Sequence, residues 1–241
     1  MKKSLYLFML NFLFITGFAQ NKVVYDANVE QRNVSSFHAI KISNGIQLML
    51  QQSNTEAVAV SAETAEERNA IKTEVVNGEL RIYLEQKAQK WWDQLKGKGF
   101  HAKAYVSVKN LDHIDGSSGS RTKVDGTLNA TNLSIDLSSG ASFTGAVKAS
   151  KMDIDQNSGA TSDVNGTVDD LTIHTSSGAK FSGYDLTANT GKANASSGSK
   201  IELSINKEFS ASASSGGGIE FKGAGALTNV STSSGGRVRK I

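Results

Sequence analysis

Residues 133–145 read Leu-Ser-Ile-Asp-Leu-Ser-Ser-Gly-Ala-Ser-Phe-Thr-Gly, and residues 171–183 repeat the pattern as Leu-Thr-Ile-His-Thr-Ser-Ser-Gly-Ala-Lys-Phe-Ser-Gly. An alternating apolar pair leads into Ser-Ser-Gly, and an apolar residue two places before a second glycine follows. The tripeptide, once varied to Asn-Ser-Gly, ends at Gly119, Gly140, Gly159, Gly178, Gly198, Gly216 and Gly235, in steps of 21, 19, 19, 20, 18 and 19 residues. A nearly fixed period of this length marks a repeat architecture, whose units bury their apolar faces only by stacking on one another.

The markers between the turns define the unit. Val124, Phe143, Val164, Phe181 and Phe221 each stand two residues before a glycine, and Ile201 keeps the apolar position where Leu203-Ser204 replaces that glycine. Ahead of the turns come the pairs Leu133 and Ile135, Met152 and Ile154, Leu171 and Ile173, then Phe209 and Ala211. Period-two alternation puts these side chains on one face of short strands, and the glycines mark corners. Stacked in register, Val124, Phe143, Val164, Phe181, Ile201 and Phe221 are expected to form an interior column. A rung of this length has a perimeter of about 60 Å, and seven rungs rise about 30 Å. Propeller blades need about 40 residues. The spacing therefore predicts an all-β, right-handed parallel β-helix, or β-solenoid, over residues 114–241.

Residues 20–113 are also β-rich, as part of the same or an adjoining solenoid. Phe37 to Gln51 alternates through Ile40, Ile42, Ile46, Leu48 and Leu50 around Ser43-Asn44-Gly45, and Asn77-Gly78 between Val75-Val76 and Leu80, Ile82 and Leu84 has hairpin chemistry. Thr64-Ala65-Glu66-Glu67 reads as a capping box opening a short helix to about Ile71. Gln86 to Phe100 reads as a loop or short amphipathic helix.

Composition bounds location and chemistry. Residues 1–19 read as a signal peptide: Lys2 and Lys3 precede an apolar run from Leu5 to Ile15, and Gly17-Phe18-Ala19 offers a small-x-small cleavage site. The mature chain is expected to begin at Gln20, with no later transmembrane helix, in the periplasm, on the outer-membrane surface or outside the cell. Without Lys2 and Lys3 there are 24 basic residues against 23 acidic, which is not the footprint of a nucleic-acid binder. The absence of cysteine removes disulfides, thiolate metal sites, cysteine catalysis and lipoprotein acylation. The absence of proline suits a chain held in hydrogen-bonded ladders.

Together these features resemble the auto-transporter adhesin family of the Bacteroidetes whose unit is the head GIN domain. The matching stretches are Ile40-Lys41-Ile42-Ser43-Asn44-Gly45-Ile46-Gln47-Leu48, Ile71-Lys72-Thr73-Glu74-Val75-Val76-Asn77-Gly78-Glu79-Leu80, and the turns at 138–141 and 176–179; the name-giving Gly-Ile-Asn stands here as Gly45-Ile46-Gln47. The resemblance covers nearly the whole mature chain. It implies a right-handed β-helix, a periplasmic or surface location and an adhesive role, and brings no catalytic residues.

Repetition also argues against chemistry at the serines, since a nucleophile needs one serine oriented by one base. His38, His101, His113 and His174 show no metal-ligand spacing. Asp115, Asp125, Asp136, Asp153, Asp155 and Asp163 invite a calcium or paired-acid reading, but Gly-Gly-x-Gly-x-Asp is missing and solvated strand faces account for them. No catalytic, metal or cofactor residue is expected. Trp91 and Trp92, the only tryptophans, are the candidate ligand or cap contacts: they can stack on sugar rings, enter a partner's pocket or cover an open solenoid end. The expected function is non-enzymatic adhesion or scaffolding toward a glycan or cell-surface protein, with self-association through solenoid ends as a further partner mode. The alternative is a polysaccharide-active β-helix lyase or hydrolase.

Overall fold

The computed structural model describes residues 26, 28–85 and 101–241. In chain order its elements are β1 (Glu30–Arg32), β2 (Ala39–Ile42), β3 (Gln47–Gln52), β4 (Ala57–Ser61), α1 (Ala65–Ala70), β5 (Ile71–Val76), β6 (Glu79–Leu84), β7 (Lys103–Val108), β8 (His113–Gly116) and β9 (Arg121–Leu137). Then come β10 (Ser142–Gln156), β11 (Thr161–Thr175), β12 (Lys180–Ala195), β13 (Lys200–Ala213), β14 (Gly218–Lys222), β15 (Ala226–Thr232) and β16 (Arg237–Lys240). All sixteen strands join one sheet wound into a β-solenoid.

The Ser-Ser-Gly repeat is the turn that makes each rung possible. Its second serine lies at φ 47–52° and its glycine at φ 72–78° in every copy. Two successive left-handed residues define a type I′ turn, closed by a hydrogen bond such as Ala141 N–H to the Ser138 carbonyl at 3.0 Å. The turns also bond to one another: Gly140 N–H donates to Ser158 O at 3.0 Å, Gly159 N–H to Ser177 O at 3.0 Å, and so on up the stack.

From β9 to β13 the long strands pair parallel with their successors, so inward side chains form columns. Leu133, Met152, Leu171, Gly191 and Phe209 make one, and Ile135, Ile154, Ile173, Ala193 and Ala211 another. The six residues expected in a single column are all buried, but they divide between two. Thr122, Phe143, Ser162, Phe181, Ile201 and Ile219 align in the first, while Val124 and Val164 belong to the second together with Leu203 and Phe221. Register follows the turn, not the corner glycine, and the two positions compensate in volume. Rungs with Phe143 or Phe181 carry Gly145 or Gly183 two residues on, whereas rungs with the small Thr122 or Ser162 carry Val124 or Val164. A Cβ on Gly145 would lie 2.5 Å from Val124 Cβ.

The N-terminal residues begin the same stack. Gly45 N–H donates to Ser118 O at 2.9 Å, so Ser43-Asn44-Gly45 continues the turn column, with β2 on β8 and β3 on β9. Beyond them, β7 lies parallel to β3 and β6 parallel to β2. Antiparallel strands then close this end: β4 on β7, β1 on β4, and β5 on β6 through the Asn77-Gly78 turn. The capping box forms as read, with Thr64 Oγ1 accepting from Glu67 N–H at 3.2 Å and Glu67 Oε2 from Thr64 N–H at 3.1 Å. Short antiparallel edges of this kind block further strand addition.

Candidate functional site

The variation in turn spacing is absorbed within the long strands between the turns. Register shifts fall between Thr144 and Ala146, between Asp163 and Gly166, and between Gly183 and Thr187. Just past these shifts, Ala130, Ala149, Val168 and Ala188 align at successive rungs. Ala130, Ala149 and Val168 floor a groove of about 860 Å³ that runs across successive rungs, along the solenoid axis. Asn129, Lys148, Thr167 and Thr187 form one wall, and Thr131, Asn132, Ser150, Asp169, Asn189 and Asn206 line the rest. Leu111, Asp112 and His38 close its N-terminal end, where His38 Nδ1 meets Asp112 at 3.0 Å.

Ion pairs and hydrogen bonds tie together parts of the faces on either side of this groove. On the face after the turns, Lys200 contacts Glu202 at 2.6 Å and Glu220 at 3.1 Å, Lys180 reaches Glu202 at 3.5 Å, and Arg239 pairs with Glu220. Burial pushes the Glu202 carboxyl up, but Lys200 and Lys180 together hold it below the ordinary glutamate value. On the face before the turns, Lys41, Asp115, Asp136, Asp155, His174 and Asn194 form one outward column. Lys41 pairs with Asp115, His113 Nε2 lies 3.8 Å from Asp136, and Asn194 bonds His174 at 3.1 Å. Burial raises the Asp136 carboxyl; His113 opposes that, and Asp155 and Asp115 reinforce it. In the groove, Asn189 donates to Asp169 at 2.9 Å and Asn129 is tied to Gln52, whose side-chain amide pairs with the Asn129 backbone as a neighbouring strand would. Among the described residues, no hydrogen bond engages the side chains of Asn110, Thr131, Asn132, Lys148, Ser150, Thr167, Thr187 or Asn206.

The residues singled out from sequence scatter across this frame. Of the aspartates, Asp115, Asp136 and Asp155 stack, while Asp125 and Asp163 lie on other columns. His101 pairs with Glu63 at 2.8 Å and does not line the groove. Among the described residues no group of three or more His, Asp and Glu side chains converges as a metal site, and no helix is long and apolar enough to cross a membrane. Trp91 and Trp92 lie outside the described residues, as do residues 1–19. The groove itself had a faint sequence signal. Asn129-Ala130-Thr131-Asn132, Lys148-Ala149-Ser150-Lys151, Thr167-Val168-Asp169-Asp170 and Thr187-Ala188-Asn189-Thr190 share one polar-small-polar-polar pattern at one place in the rung.

Residues 36–225 match the family model described as "Putative auto-transporter adhesin, head GIN domain". The chain belongs to the head GIN family. No curated protein matches it. The head GIN fold is shared with solved structures of a "putative adhesin" from Bacteroides fragilis (16% identity, TM-score 0.76, covering 88% of this chain and 96% of that one) and another from Parabacteroides merdae (14%, 0.69, 89% and 95%). It is shared also with a "putative lipid binding protein" from Parabacteroides distasonis (15%, 0.67, 90% and 98%). At these identities the likeness is one of fold, and the head GIN solenoid carries it along almost its full length.

Proposed function

We propose that this head GIN chain is an exported, non-enzymatic cell-envelope protein that holds a glycan or another surface protein against its solenoid. The observation that supports this most is a concave groove in which eight polar side chains, among them Asn132, Thr167 and Thr187, make no hydrogen bond among the described residues. Polar groups that a fold leaves unpaired in a concave, ladder-bonded frame suit durable binding. Trp91 and Trp92 are assigned as additional ligand or cap contacts between β6 and β7. The signal peptide is assigned to residues 1–19.

Fractionation of producing cells with N-terminal sequencing is expected to find a chain starting at Gln20 outside the cytoplasm. A chain retained in the cytoplasm with residues 1–19 intact would remove the envelope assignment. A glycan screen run beside a hydrolysis assay on the same polysaccharides is expected to give binding without turnover. Turnover without durable binding would replace this reading with a polysaccharide-active enzyme. Loss of binding in the Trp91→Ala, Trp92→Ala double variant would make those residues ligand contacts, and unchanged binding with lowered stability would make them a cap.

A further inference from the structure

We propose that the axial groove binds an extended, uncharged polysaccharide lying along the solenoid, a proposal that rests on the surface-binding reading above. Its lining is a repeat in space. Successive rungs lie about 4.8 Å apart, and each brings a hydroxyl or amide to the lining, at Asn132, Ser150, Thr167, Thr187 and Asn206. From Asn132 to Asn206 five successive rungs contribute, giving a length of about 20 Å. A ligand that satisfies such a wall must itself present hydroxyls at regular intervals along an extended axis, as a linear glycan does.

Charge and backbone argue against the other polymers. Among the described residues Lys148 is the one lysine or arginine in the groove, and His38 is paired with Asp112. An anionic polymer calls for a row of cations, which the groove does not have. A protein segment could add to the fold by strand pairing or by inserting an aromatic anchor. β10 and β11 are paired on both edges under the groove, the free edge of β9 is taken at Asn129 by the Gln52 side-chain amide, and the floor of Ala130, Ala149 and Val168 offers no deep apolar pocket. With no Phe, Tyr or Trp lining the groove among the described residues, affinity depends on the hydrogen-bonding rows themselves.

The test uses the full chain, titrated with xylo-, manno- and cello-oligosaccharides of graded length, with heparin and gelatin as anionic and polypeptide comparators. Affinity for at least one neutral series is expected to rise with length up to about four or five sugars, the number of rungs spanned, and then level off. The triple variant Asn132→Ala, Thr167→Ala, Thr187→Ala is expected to lose tenfold or more in affinity with an unchanged melting curve. A matched triple on the ion-paired face, Ser134→Ala, Thr172→Ala, Ser212→Ala, should bind as the parent does. Neutral oligosaccharide binding that survives the groove triple would overturn the groove assignment and leave the surface-binding reading intact. Heparin or gelatin binding that needs the groove residues, with no neutral sugar bound, would overturn the ligand class. Silence from every probe would remove both.

Discussion

Ser158 sits at φ 52°, a conformation that costs a non-glycine residue roughly 1–2 kcal/mol and that asparagine tolerates better. Asn44 and Asn77 hold the same place in their own turns, at φ 60° and 53°. Ser158→Asn is therefore expected to stabilise the protein by about 0.5–1 kcal/mol, read as a higher urea midpoint. Gly159→Ala, at φ 73°, should destabilise the protein by about 1–2 kcal/mol, read as a lower midpoint. A destabilised Ser158→Asn would mean that the serine hydroxyl, not the backbone angle, selects the residue. Two residues earlier, Gln156 is fully buried with both amide atoms unpaired, in a column where the preceding rung has Leu137. An unsatisfied buried amide costs roughly 1–3 kcal/mol, so Gln156→Leu should add stability of that order, read as a higher midpoint. A lowered midpoint would indicate a bound water that the amide holds.

Between neighbouring elements the coupling is steric and electrostatic. β9 and β10 fit because Gly145 leaves room for Val124, and a methyl there meets Val124 Cβ at 2.5 Å. Gly145→Ala should cost about 1–3 kcal/mol, and much of that cost should vanish in a Val124→Gly background, which removes the Cβ that the new methyl meets. Additive effects in the double-mutant cycle would refute the volume compensation between the two columns. The stacked carboxylates of β8, β9 and β10 make a second case. Asp136 has its pKa raised by burial and by Asp155 and Asp115, so the folded state prefers it protonated. That preference aids folding below the unfolded pKa of about 3.9 and is lost as pH rises through the higher folded value. Asp136→Asn is accordingly expected to raise the melting temperature at pH 7, with the gain shrinking toward about pH 3.5. A gain independent of pH would point to packing instead.

Across the whole molecule, what could be read from sequence was what local stereochemistry dictates. Ser-Ser-Gly must be a tight turn wherever it occurs, so its period exposed the solenoid directly. The columns were less legible, because the corner glycine that seemed to mark register stands at a place where rungs gain or lose residues, as at Gly126 and Gly183. The first rung was hidden for a different reason: β2 and β3 are separated from β8 and β9 by strands that close the end, so the period is broken in sequence and restored only in space. The groove was hardest, since exposed Asn, Thr and Ser satisfy no packing constraint that would set them apart from a loop. In a stack whose rungs touch mainly their neighbours, damage should spread by adjacency. Ile205→Ala in β13 is expected to speed amide exchange in β13–β16 while β9 and β10 keep their protection. Uniform acceleration throughout would show that the stack unfolds as one unit.

The turn column gives the molecule a direction. In each stacked turn a single peptide group, joining serine to glycine, accepts at its oxygen from the rung before and donates at its nitrogen to the rung after. Strand dipoles alternate and largely cancel, but these all point the same way. Dipoles of about 3.5 D spaced about 4.8 Å apart leave roughly 0.15 of an elementary charge at each pole, a third of what an α-helix achieves with its closer spacing. The solenoid is thus weakly polarised along its axis, positive toward the higher-numbered rungs. A chain lying in the groove therefore meets two inequivalent ends, and a directional polymer would bind in one orientation in preference to its reverse.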